Sequence, residues 1–530
     1  MPTALLLRHA VLHTGEPSDP RANALVIVGS RLAFVGDDDR ATAYARAQGP
    51  HRTLDLAGAC VLPGLTDAHA HLAWYALGLT RVQAQTATLA ACLRRVAEQA
   101  VHQPAGGWIT GQGWDHNRWG GSFPTRQELD RVAPAHPVAL TAKSGHATWV
   151  NSLALQRAGI GAKTPDPPGG QIVRDAEGTP TGILLETASR LVDQSIPEPT
   201  IDEVVTALRH ALPEAHRLGL TGVHDMGDAT TFRALQRLDG EGALTLRVLK
   251  SIPLQGLDAA IRLGLESGCG GDRLRLGHVK LFADGALGPR TAWMLEAYDD
   301  APEDTGIATL SADELHDAVT RAANHGLACA IHAIGDAAVR AALDAIAALP
   351  PEQRRLRLPH RVEHAQLVHP SDLDRFAQLG VVASMQPIHA TADIDIAEQH
   401  WGVRCQGAYA WQTLLRAGAR LALGSDCPVE SLSPLAGIHA AVTRRRADGY
   451  PGPEGWQPQE RISVAEAIAG YTRGAAHAAG LGDQLGTLTP GRLADLTILD
   501  RDPTTVPPDE LLQIRVLATY VGGEMVWGNV

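Results

Sequence analysis

Eight short apolar runs recur along this 530-residue chain, at 60–68, 219–225, 244–251, 275–283, 327–332, 360–364, 380–386 and 420–426. Helical patterns with apolar spacing near 3.6 lie between the later ones, at 312–325, 336–348, 371–379 and 406–417. Eight β/α units predict an α/β chain built on a distorted (β/α)8 TIM barrel. The spacing is regular from residue 219 onward. Between the first and second runs about 150 residues intervene, too many for one connection, which predicts an inserted subdomain over 80–215. Short strand-like runs stand at both ends: Ala4–Leu12, Ala24–Val28, Arg31–Val35 and Thr53–Asp55, then Asp495–Leu499, Val516–Val521 and Glu524–Trp527. They predict a small β-sandwich from 1–59 and 486–530, enclosing a barrel of 60–79 and 216–485.

Composition narrows the function classes. Hydrophobic residues at 45% and charged residues at 20% are ordinary for a soluble globular protein. The net charge of −12 argues against nucleic-acid binding. Six scattered cysteines form no CxxC pair, which fits a reducing cytoplasm. The first residues lack the pattern of a signal peptide. No apolar stretch approaches the ~18 residues needed to span a bilayer. The expectation is a cytoplasmic protein with neither nucleic-acid nor membrane partners; a homo-oligomer stays open. Lysine is scarce: the chain has only four, at 143, 163, 250 and 280, among 46 lysines and arginines. A lysine in a buried-looking strand is therefore a candidate for a special role.

The first run leads into Cys60-Val-Leu-Pro-Gly-Leu-Thr-Asp-Ala-His69-Ala-His71. Positions i and i+2 of a strand share a face, so both imidazoles aim at one point, as metal ligands do. In a barrel, ligands belong at the C-terminal ends of strands. The fourth run carries Lys280 near its end, the fifth ends in His332, the sixth in His364 and the eighth in Asp426. Singly, His332 reads equally as a core histidine and Asp426 as a helix N-cap. Together, six such residues on one barrel face predict a metal site. An ammonium at Lys280 would repel a divalent metal; a carbamate formed with CO2 would reverse its charge and bridge two metals. The alternative is a lysine paired with Asp284.

The chain resembles the metal-dependent amidohydrolase superfamily, in the YtcJ-like branch of amidohydrolase family 3, to which N-substituted formamide deformylase belongs. The carriers are Pro63–His71, Gly111-Gln-Gly-Trp-Asp115, Gly145-His-Ala-Thr-Trp-Val-Asn151, Gly182-Ile-Leu-Leu-Glu186 and Val279–Leu287. Further along come Ile331–Asp336, Arg361–Gln366, Leu423-Gly-Ser-Asp426 and Gly486–Leu496. The resemblance implies one or two divalent metals, usually zinc, that activate hydroxide. His69 and His71 would hold one metal beside Asp426; His332 and His364 would hold the other, with carbamylated Lys280 between. Four imidazoles also suit zinc chemically, with another divalent metal left open.

The expected chemistry is hydrolysis of a non-peptide C–N bond in a small-molecule amide, of N-substituted formamide type. Asp426 acts as general base and then acid. His146 is the candidate oxyanion donor. Trp114, Asn151, Glu186 and Asp284 are the candidate substrate-binding residues. A hydrolytic deaminase or cyclic-amide hydrolase on the same site is the alternative, and a decayed, non-catalytic scaffold contradicts the complete ligand set. The long segments 291–310 and 388–402 are candidate lids.

Overall fold

The computed structural model describes residues 3–16, 22–142, 147–167 and 170–530. Among them no helix is long and apolar enough to cross a membrane. The chain forms two compact units, one of Met1–Tyr75 with Val204–Val530 and one of Ala76–Glu203.

The larger unit is organised by eight parallel strands: β1 (Leu65–Ala70), β2 (Leu220–Asp225), β3 (Arg247–Pro253), β4 (Leu274–Phe282), β5 (Cys329–Ala333), β6 (Arg361–His364), β7 (Val382–Met385) and β8 (Arg420–Leu423). Each pairs with its neighbour in chain order, the order of a (β/α)8 barrel. Most strand positions are buried, because helices cover one face and the barrel interior the other, so each strand reads as an apolar run. No ladder joins β8 to β1. The ring closes beyond the strand ends, where Asp426 N donates to His69 O at 2.7 Å and His71 N to Cys427 O at 2.8 Å.

The structure corrects the first run. It is two strands: Cys60–Pro63 lies in the sandwich and β1 starts at Leu65. Gly64 joins them where the chain passes from one layer to the other, and its N–H bonds Asp495 O at 2.8 Å. A Cβ on Gly64 would lie 2.3 Å from Thr221 Oγ1 and 2.9 Å from Asp495 Cβ. Only glycine fits this crossing.

Residues 4–12 also split. Ala4–Arg8 belongs to one sandwich sheet and Val11–Leu12 to the other, with the turn at His9, where φ is +53°. The first sheet runs Arg31–Gly36, Ala24–Val28, Ala4–Arg8, His51–Asp55; the second runs Val11–Leu12, Cys60–Pro63, Leu496–Leu499, Val516–Val521, Glu524–Gly528. Both ends of the chain thus meet in one sheet. Leu7, Leu25 and Ile27 pack on Leu496, Ile498 and Tyr520 between the sheets. Ala4 and Leu6 point the opposite way, onto Ala41 and Ala45 of the helix Asp38–Ala47, as the period of two requires. Arg247 of β3 fixes sandwich to barrel through two bonds to Asp495, at 2.7 and 2.9 Å.

The unit Ala76–Glu203 has its own six-stranded sheet, in the order Gly170–Arg174, Pro180–Glu186, Ala147–Val150, Val138–Ala142, Ile109–Trp114, Val82–Gln83. Trp114 and Trp149 are fully buried in its core.

The crossing at Gly64 generates a test. Gly64→Ala forces a methyl group into Thr221 and Asp495 and is expected to cost about 1–3 kcal/mol, as overpacking does. A thermal melt checks it: a lowered midpoint is the expected outcome.

Candidate metal centre

The C-terminal mouth of the barrel gathers four imidazoles in contact. Ring centroids lie 5.8 Å apart for His69 and His71, 4.9 Å for His69 and His364, and 4.5 Å for His332 and His364. Asp426 Oδ1 sits 3.4 Å from His69 Nε2 and 3.2 Å from His71 Nε2. Backbone geometry directs these side chains. Strict alternation would send Glu363 and His364 to opposite faces of β6, yet both serve the mouth. His364 has φ of +71° and Asp426 of +58°, a conformation non-glycine residues rarely adopt and one that collects at functional sites.

Hydrogen bonds fix which ring nitrogen faces inward. His69 Nδ1 is 2.5 Å from Glu363 Oε2. Burial would raise the Glu363 carboxyl, but the adjoining Arg361 guanidinium and His69 outweigh it and hold it ionised. A carboxylate only accepts, so Nδ1 donates and His69 Nε2 carries a lone pair. His364 Nδ1 is 2.8 Å from Gln386 Oε1, which likewise leaves its Nε2 a lone pair. His332 is reversed: Nε2 donates to Gly285 O at 2.8 Å, and Nδ1 is the free acceptor. Burial keeps the rings neutral, lowering His69 to about 4 and His332 to about 3.

The Asp426 carboxyl is held below the usual carboxylate range despite its burial. Its Oδ1 is buried without a hydrogen-bond partner. Donor atoms of His69, His364 and Asp426 therefore converge to within 4.8 Å of one another, lone pair against lone pair, with no proton between them. Such an arrangement is repulsive until a cation enters it. The donor set of nitrogen and carboxylate oxygen suits zinc and related divalent ions.

Lys280, on β4, is buried, and its ammonium makes no hydrogen bond or ion pair with any described residue. It stands 4.9 Å from the centre of the Phe282 ring. Burial lowers it to about 8. The alternative pairing with Asp284 does not occur. Asp284 accepts from the backbone N–H groups of Trp293, Ile334 and Gly335, between 2.8 and 3.1 Å, and braces the loops after β4 and β5.

Asp284 is thus engaged by the backbone, and two more of the candidate substrate-binding residues are buried as well. Trp114 is fully buried, donates to Leu140 O at 2.8 Å and packs on Trp119 and Trp149. Asn151 is fully buried, accepting from Val138 N and Ala154 N and donating to His136 O. Both are held by hydrogen bonds within their own unit. Glu186 ends the strand Pro180–Glu186, exposed, at φ of +51°. His146 lies outside the described residues.

The residues around the candidate ligands are not prominent in the sequence. Glu363 and Gln386 orient His69 and His364; Glu363 directly precedes His364, and Gln386 directly follows β7. His389 stands in the sequence only as part of a long segment. It is buried, its ring stacks on His364 at 5.9 Å, and its Nε2 lies 3.7 Å from Asp426 Oδ2 without a hydrogen bond. Gln366 Nε2 donates to His389 Nδ1 at 3.3 Å, so Nε2 carries the proton and points it into the site. The segment holding His389 is helical, over Pro387–Ala392 and Ile394–Trp401. It is tied to the segment after β4: His400 Nδ1 is 2.9 Å from Asp300 Oδ2, and Arg404 bonds the carbonyls of Glu296 and Ala297.

Residues 52–527 match the profile described as the amidohydrolase family. The chain belongs to the amidohydrolase family. It is a hydrolase of the kind that acts on carbon–nitrogen bonds. It is 33% identical to an N-substituted formamide deformylase of Arthrobacter pascens over 537 residues, covering 98% of this chain and 97% of the relative. It is 35% identical to the protein LONG AFTER FAR-RED 3 of Arabidopsis thaliana, covering 99% and 91%. A solved metal-dependent hydrolase from Pyrococcus furiosus superposes with a TM-score of 0.79 at 31% identity, over 95% of this chain and all of the other. The fold and the candidate metal-binding group accord with this membership.

Two outcomes test the site. Glu363→Gln replaces the carboxylate that orients His69 with a neutral amide, and metal affinity is expected to fall about 10–100-fold, read by competition with a chelating dye. In the metal-free enzyme, His69 and His332 titrate below the unfolded value of about 6.5, so the unfolded chain takes up protons first. Stability should drop as pH falls from about 6.5 towards 4, seen as a falling melting midpoint after chelation.

Proposed function

We propose that this enzyme hydrolyses the C–N bond of a small N-substituted amide or formamide, with zinc as the metal and a carbamate on Lys280. The observation that carries the reading is the convergence of the His69, His364 and Asp426 lone pairs on one point at the barrel mouth. His71 and His332 extend the donor set on either side. The formamide deformylase relative favours amide substrates of this class.

A divalent metal held by His69, His364 and Asp426 would supply an activated water, with a pKa of about 7, and a polarised carbonyl oxygen. The chain's own groups do the rest. Asp426, ionised and unpartnered at Oδ1, takes the proton of the attacking water and returns it to the departing nitrogen. His389 aims an N–H into the same space and stabilises charge developing on the carbonyl oxygen. Glu363, Gln386 and Gly285 hold the three imidazoles in the tautomers that present lone pairs. Lys280, lowered to about 8 and without a partner, has a neutral fraction at neutral pH that can add CO2. The carbamate would place negative charge among the imidazoles where the ammonium opposes a metal.

Asp426→Asn is expected to remain folded and lose about 100-fold or more in kcat. His389→Gln should lose about 100-fold in kcat with metal content unchanged. A panel of N-formyl and N-acyl amines, scored for formate or carboxylate release, tests the substrate class. Release of ammonia from amidines or aminated rings, with every amide inert, would replace this reading with a deaminase.

A further inference from the structure

The β-sandwich brings a second set of metal-ligating side chains together, away from the barrel mouth. His13 follows the strand Val11–Leu12, which pairs with Cys60–Pro63; Cys60 in turn pairs with Leu499, three residues before Asp502. Three adjacent segments of one sheet therefore bring an imidazole, a thiol and a carboxylate near one another. One donor atom from each lies within 4.8 Å of the others. Among the described residues, only this group and the one at the barrel mouth meet that condition.

The three are unequally exposed, as an accessible site requires. Cys60 is fully buried. The side chains of His13 and Asp502 are 31% and 14% exposed, and both line a cavity of about 460 Å³ with Thr14, Pro63 and Thr472. Asp502 Oδ1 accepts from His13 Nε2 at 2.9 Å and from Thr504 N and Oγ1 at 2.8 and 2.7 Å. Its Oδ2 and the His13 Nδ1 make no hydrogen bond to a described residue. A His–Asp pair alone explains those two residues; it leaves the buried thiol beside them without a role.

We infer that His13, Cys60 and Asp502 form a second metal site, for a borderline-soft divalent ion of the zinc class, with its remaining coordination positions open to the cavity. Sulfur, nitrogen and oxygen donors together select such an ion over magnesium or calcium. Binding replaces the thiol proton by the metal and releases that proton to solvent. The site would join His13 and Cys60, from the start of the chain, to Asp502 near its end, and so fasten the sandwich. It is independent of the catalytic reading.

Cadmium tests it, because a cadmium–thiolate bond absorbs in the near ultraviolet and imidazole or carboxylate ligands do not. Metal-loaded enzyme titrated with Cd²⁺ should develop one equivalent of that absorption. Cys60→Ser should abolish it. His13→Gln, with the thiol retained, should weaken Cd²⁺ binding about tenfold or more, since even the loss of a partner behind a ligand has effects of that size. Absorption of equal strength in Cys60→Ser, or none in the wild type, would overturn the proposal. Unchanged affinity in His13→Gln would overturn it too, and that variant decides the matter if Cys60→Ser does not fold.

Discussion

The barrel is closed by the residues that make its site. β1 and β8 share no ladder, and the ring is joined by Asp426 N to His69 O and His71 N to Cys427 O. The same four-residue seam carries two imidazoles and the carboxylate. Ligand positions and barrel closure are thus one constraint, and a shift of either strand moves both. Close packing enforces it: a Cβ on Gly424 would lie 2.5 Å from His69 N. A metal at this point adds bonds across a seam that hydrogen bonds alone close thinly.

Behind the seam lies a buried charged network. Arg361 and Glu363 are fully buried, and Arg361 also reaches His224, Ala68 O and Ser384. Burying such a pair is costly, and a well-packed apolar replacement is often as stable. Its value here is positional. Glu363 holds the His69 ring, Arg361 holds Glu363, and the strands β1, β2, β6 and β7 are all bound into one arrangement. Burial can then keep His69 and His332 neutral, which is the form that binds metal.

The barrel was legible because both faces of a parallel strand are buried, which leaves eight apolar runs in the sequence. The candidate ligands were legible because β-strand ends are where an apolar run meets a polar residue. Three things were not. The break at Gly64 is hidden, since the apolar run Val61–Leu65 continues across it while the two strands serve different layers. The nominated pocket residues Trp114, Asn151 and Asp284 sit in motifs that read as functional. Buried tryptophans and backbone clamps, however, leave the same trace in sequence as ligand contacts. His389 lay in a segment read as a loop; its packing on His364 depends on a helix that a period of 3.6 over so few residues does not reveal.

The central claim is that one cation sits where the three lone pairs meet. Anomalous diffraction at the zinc edge, from crystals of active enzyme grown with zinc, tests it most directly. The expected result is a peak bonded to His69 Nε2, His364 Nε2 and an Asp426 oxygen. Fully active crystals with no anomalous density at that point would contradict it.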